Sequence, residues 1–60
     1  MTKTELSLRI LNSLKTQGQY LYSQDASIKL LENEIVDELE QNGSIRITAR
    51  AIGMVIATVL

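Results

Sequence analysis

Between Asp25 and Gly43 the apolar residues Ile28, Leu31, Ile35 and Leu39 recur at spacings of three and four, which puts them on one stripe of an α-helix. Glu32, Glu34, Asp37, Glu38 and Glu40 fall on the other faces. The pattern predicts an amphipathic helix with an acidic back over residues 25–42. Ser23 or Asp25 offers a side-chain oxygen to its first free N–H groups, and Asn42-Gly43 supplies a residue able to take positive φ after its last turn.

The same periodicity appears upstream. Thr2-Lys3-Thr4-Glu5 has the capping-box spacing, in which the threonine and glutamate side chains each satisfy a free backbone N–H of the other residue. A helix over residues 3–16 is expected, with Leu6, Ile10 and Leu14 on one stripe and Leu8 and Leu11 on an adjacent one. Lys15 suits the C-terminal end of the dipole, and Gly18 is the expected terminator. Gln17 to Gln24 breaks the period and reads as a linker. Its tyrosines, Tyr20 and Tyr22, are expected to close one end of a small core rather than to stack on a base, because no basic residue lies near them.

The last segment, Ser44 to Leu60, supports two readings. Ile45 and Ile47 alternate as in a strand, and β-branched residues are dense throughout, which favours β locally. Against this, Thr48 is a good N-cap, Ile47 and Ile52 have hydrophobic-staple spacing, and Ile52, Val55, Ile56 and Val59 repeat at three and four. No turn signal divides the segment to make a hairpin. The helical reading is preferred: an extended Ser44–Ile47 leads into a third helix over residues 49–60, with Gly53 inside it at a cost of roughly 1 kcal/mol relative to alanine. The expected fold is therefore all-α, a three-helix domain with helices over 3–16, 25–42 and 49–60.

Length sharpens that expectation. Sixty residues make one domain, 1–60, and a chain this short buries only about 60% of the surface its unfolded form exposes. It has no cysteine and no histidine, and Tyr20 and Tyr22 are its only aromatic rings, so disulfides and the commonest transition-metal sites are excluded as staples. Self-association is the remaining route, and a homodimer or larger assembly is expected. Leu8, Leu11, Val55, Val59 and Leu60 are the candidate interface residues. The longest uncharged stretch, Ala51 to Leu60, has ten residues, short of the roughly 20 that a spanning helix requires. With no secretory signal pattern at the N-terminus, a cytoplasmic protein without a membrane partner is expected.

Chemistry narrows next. Without histidine or cysteine, nucleophilic catalysis of the Ser–His or Cys–His kind is excluded. Glu34 with Glu38, or Glu32 with Glu40, reads as a solvated acidic face rather than as an acid–base pair or a hard-cation site. No enzyme, cofactor or metal is expected. A net charge of −1 gives no general attraction to nucleic acid. Arg46 and Arg50 are the candidate anion or phosphate ligands, Arg50 near the positive end of the expected third helix; the alternative is that they pair with the acidic helix. A helix-turn-helix reading fails, because the last segment beyond Arg50 offers only Ala, Ile, Gly, Met, Val, Thr and Leu to base edges.

Three families are similar in part. Ile35-Val-Asp-Glu-Leu-Glu, followed by Ile47-Thr-Ala-Arg-Ala-Ile-Gly-Met-Val-Ile-Ala-Thr-Val-Leu60 and preceded by Leu8-Arg-Ile-Leu-Asn-Ser-Leu, resembles the helical core of the ATP-cone, a nucleotide-sensing domain. Glu34-Ile-Val-Asp-Glu-Leu-Glu-Gln-Asn-Gly before an Ile-rich segment is similar to small enterobacterial biofilm-regulator and connector proteins, which implies an acidic, dimeric regulator acting by protein contacts or DNA association. Met1-Thr-Lys-Thr-Glu-Leu with Asp25-Ala-Ser resembles the start of histone-like HU proteins.

The function expected is that of a small non-enzymatic regulatory protein. It would act as a homo-oligomer on a protein partner through apolar helix faces. The alternatives are a nucleic-acid-associated regulator using Arg46 and Arg50, or an ATP-cone-like nucleotide sensor.

Overall fold

A computed structural model describes residues 2–60. Its elements run α1 (Lys3–Gln17), β1 (Gln19–Leu21), α2 (Ala26–Gln41), β2 (Ile45–Ala51) and β3 (Met54–Val59). This is an α+β domain with two helices and a three-stranded antiparallel sheet, in the order β1-β3-β2. The all-α expectation is overturned: the third helix is replaced by the hairpin β2–β3, and the linker after α1 contributes a third strand.

The two helices form where periodicity and caps agree. Thr2 accepts from the Glu5 N–H at 3.1 Å, and Gly18, at φ +75, donates to the Leu14 carbonyl at 2.9 Å. Asp25 caps α2 by accepting from Ser27 at 2.9 Å. At the other end Gly43 takes φ +81, and the N–H groups of Ser44 and Gly43 donate to the carbonyls of Leu39 and Glu40. That pair of bonds is a Schellman motif.

The hairpin has a physical reason in the same residues that suggested a helix. Gly53 sits at φ +80 in the two-residue turn Ile52-Gly53 between the paired residues Ala51 and Met54. Positive φ at the second central position alone is the type II pattern, which glycine fits without strain. The lone Gly53 was therefore the turn signal. Ile47 and Ile52 do not form a staple, and Thr48 is not a helix cap. Instead Thr48 is the extra residue of a bulge: the register steps between Ile47, opposite Ala57, and Ala49, opposite Ile56. Its hydroxyl donates to the Ile56 carbonyl at 3.1 Å.

Both helices pack on one face of the sheet, α1 against β1 and β3 and α2 against β2. The core between them consists of Leu6, Ile10 and Leu14 from α1, Ile35, Val36 and Leu39 from α2, and Tyr20, Ile45, Val55 and Ala57 from the strands. Tyr20 belongs to it and Tyr22 packs against it, edge to face with ring centroids 5.9 Å apart. Among the described residues, no helix is long and apolar enough to cross a membrane.

Candidate functional site

Strand alternation divides the sheet's side chains between two faces. Tyr20, Val55, Ala57 and Ile45 point at the helices and are buried. Leu21, Met54, Ile56 and Thr58 alternate with these and point away, joined across the ladder by Gln19, Ala49, Ala51 and Arg46. No element covers that second face among the described residues. Leu21 and Ile56 are 62% and 39% exposed there, and Ile52 stands fully exposed at the hairpin tip. The centre of the face is apolar and uncharged, with Arg46 at one end.

The candidate interface residues divide between the chain's own core and its surface. Leu8 is exposed on α1, whereas Leu11 packs against the core. Val55 is completely buried within the chain's own core, so it has no surface to offer a partner. Val59 packs against the core, and Leu60 is exposed just beyond β3. Sequence reasoning passed over the outward residues Leu21, Met54 and Ile56. The signal that would have found them is the alternation of Met54 through Val59 read as a strand.

Arg46 and Arg50 are separated by the bulge. Four residues apart on a regular strand, they would share a face. The extra residue at Thr48 puts Arg46 opposite Thr58, on the open face, and Arg50 opposite Val55, on the helix side. There Arg50 donates to Asp37 of α2 at 2.8 Å, which raises its pKa further. Arg50 is thus not at the start of a helix, and the two guanidinium groups do not converge on one anion. Pairing with the acidic helix holds for Arg50. Lys3 is likewise joined to Glu38 at 2.9 Å.

The strongest departure on α2 is Glu32. Expected on the solvated acidic back with Glu40, it is instead 1% exposed. Its carboxylate accepts from the Tyr20 hydroxyl and, at 2.8 Å, from the Ser23 N–H. These bonds tie the β1–α2 connection to the helix. Burial, followed by the bond to Glu32 and its charge, raises the Tyr20 pKa well above the ordinary phenol value, opposed in part by the nearby Arg9. The buried stripe of α2 is Glu32, Ile35, Val36 and Leu39, rotated from the one inferred through Ile28 and Leu31. An acid three and four residues before the buried pair Ile35 and Val36 was the available clue.

Among the described residues, no group of three or more acidic, histidine or cysteine side chains could hold a metal ion. Compared with family models, curated proteins and solved structures, the chain matches none.

Proposed function

We propose that this chain is a small, non-enzymatic, cytoplasmic interaction protein that associates reversibly with a second copy of itself through the open face of its sheet. It would regulate a protein partner from that assembled state. The observation that carries this reading is the apolar centre of the outer face of the sheet, Leu21, Met54 and Ile56, with both helices on the opposite side. The sheet replaces the helix faces as the contact surface, because Val55 and Leu11 are engaged in the chain's own core.

A second copy suits this face better than a charged partner does. Its centre, Leu21, Met54 and Ile56 with Ala49 and Ala51, has no charge to be repelled or left unpaired by an identical surface. Strands ~4.8 Å apart and ~3.4 Å per residue, with β1 only three residues long, give a footprint of about 260 Å². That is less than half of the roughly 800 Å² per partner in standard stable interfaces. Contact over so small a face is weak and transient, with its strength set by packing rather than by area.

Sedimentation velocity between about 5 and 500 µM, the range over which a weak dimer assembles, tests the reading. The weight-average mass is expected to rise from monomer to dimer. Ile56→Lys, at the centre of the face, should hold the chain monomeric throughout, while Leu8→Lys on the exposed side of α1 should not. A wild type that stays monomeric, or an Ile56→Lys variant that dimerises as well as wild type, overturns the proposal.

A further inference from the structure

A cleft of about 240 Å³ lies at the hairpin end of the molecule, lined by Lys29 and Asn33 of α2, Arg50 of β2, Tyr22 and the Ile52-Gly53 turn. The Tyr22 N–H donates to the Gly53 carbonyl at 2.9 Å, which holds the turn against the chain leaving β1. We propose that this cleft binds a terminal phosphate group, free or as a monoester, with its oxygens shared among Lys29, Asn33 and Arg50.

Helix geometry sets the positions of these groups. Lys29, Asn33 and Asp37 follow one another at spacings of four, so they form one row along α2 with neighbours ~6 Å apart. Arg50 donates to Asp37 at 2.8 Å, which anchors its guanidinium at one end of the row. Lys29 stands at the other end on a flexible four-carbon stem, with Asn33 between them. Each cation is one helical turn from Asn33, so a single oxyanion at that residue meets both.

The lining is rich in donors and contains no acid. Lys29 makes no ion pair among the described residues. Arg50 carries five N–H donors, and the bond to Asp37 engages its Nη2 alone. The Asn33 amide adds two more donors. Asp37, outside the cleft, is already neutralised by Arg50 and leaves the positive charge of Lys29 uncompensated. Three donor groups along a row call for a ligand with oxygens on several sides. A phosphate monoester presents three strong acceptor oxygens and a charge approaching −2, whereas a carboxylate has only two oxygens in one plane. The volume is below the roughly 300–1,000 Å³ of sites for drug-sized molecules, which favours a phosphate on a small body over a whole nucleotide.

This inference is independent of self-association, because Lys29, Asn33 and Arg50 are on the helix side of the sheet; it is tested at protein concentrations where the chain is monomeric. Inorganic phosphate and a phosphoserine residue capped by acetyl and amide groups are each titrated to about 20 mM at constant ionic strength, above the affinity on the order of 1 mM expected for so small a group. Binding is followed by the amide resonances of the protein. Saturable shifts centred on Asn33 and Gly53 are expected with both, and binding at least about fivefold weaker with acetate. Tighter binding of the capped phosphoserine assigns the site to a phosphorylated protein segment, and tighter binding of inorganic phosphate assigns it to the free ion.

Lys29→Gln and Arg50→Gln should each weaken phosphate binding about fivefold or more. Both chains should stay folded by circular dichroism, since the one ion pair lost is exposed and contributes little to stability. Arg46→Gln removes the same charge from the open face of the sheet and should leave phosphate affinity unchanged. No saturable shift with either phosphate, acetate binding as tight as phosphate, an unchanged affinity in Lys29→Gln, or equal weakening in all three variants overturns the proposal.

Discussion

The two faces of the sheet are built from the same strands, often from adjacent residues, and have opposite fates. Val55 is wholly buried under α1, while its neighbour Ile56 is 39% exposed on the open side. Both are β-branched and of similar hydrophobicity. Composition therefore says nothing about which is core and which is contact surface. Strand parity does, and parity is set by the turn at Ile52-Gly53 and shifted by the bulge at Thr48. The arginines of β2 make the same point, since the bulge sends Arg46 to the open face and Arg50 to Asp37.

Placing the same charge at adjacent positions is the most severe way to break this comparison. Val55→Asp buries a carboxylate without a partner in a ten-residue core, at a cost of about 4 kcal/mol or more, comparable with the whole stability of so small a domain. It should unfold the chain, seen as loss of the helical circular dichroism signal at 25 °C. Ile56→Asp should remain folded, with stability changed by less than about 1 kcal/mol, and lose only self-association. Equal effects of the two substitutions would mean that the faces are not distinguished as described.

How much of this was legible beforehand differs by element. Both helices could be read, because stripe, cap and terminator agree in each: Thr2 and Gly18 bracket α1, Asp25 and Gly43 bracket α2. The hairpin was misread because Ile52, Val55, Ile56 and Val59 satisfy a helical period while Met54 to Val59 also satisfies a strand's alternation. No Asn-Gly or Asp-Gly pair marks the turn. A type II turn requires glycine only at its second central position, and Gly53 with the β-branched density around it was sufficient evidence. Glu32 was misassigned for a different reason. Charge in a sequence points to exposure, although a buried acid is stable where a tyrosine and a backbone N–H meet it. The bulge left no mark in the sequence, and with it the separation of Arg46 from Arg50.

The floor of the core offers an intermediate effect, and one that depends on pH. Glu32→Ala would leave the Tyr20 hydroxyl and the Ser23 N–H without their acceptor, costing about 2–3 kcal/mol by urea denaturation. The Tyr20 pKa is raised in the folded state by burial and by Glu32. The folded chain therefore holds that proton more tightly than the unfolded chain, whose tyrosines titrate near about 10. The associated stability is complete below that pH and is lost as pH rises through it toward the folded-state value. Unfolding free energies measured from pH 8 to 11 should decline at the alkaline end, and decline less steeply in Tyr20→Phe. An identical slope in the two proteins would mean that Tyr20 is not held as described.

The smallest effect concerns the turn that assigns residues to faces. A Cβ added at Gly53 would meet nothing within 4 Å, so Gly53→Ala carries no packing penalty and isolates the backbone term. At φ +80 an L-residue pays about 1–2 kcal/mol, seen as a lower urea midpoint with the slope unchanged. Because the register is also pinned by Ile45, Val55 and Ala57 in the core, the altered turn should not reassign the faces, and self-association of the folded fraction should match wild type. Lost association in a still-folded Gly53→Ala would show that the turn, rather than the core, decides which side of the sheet meets the second copy.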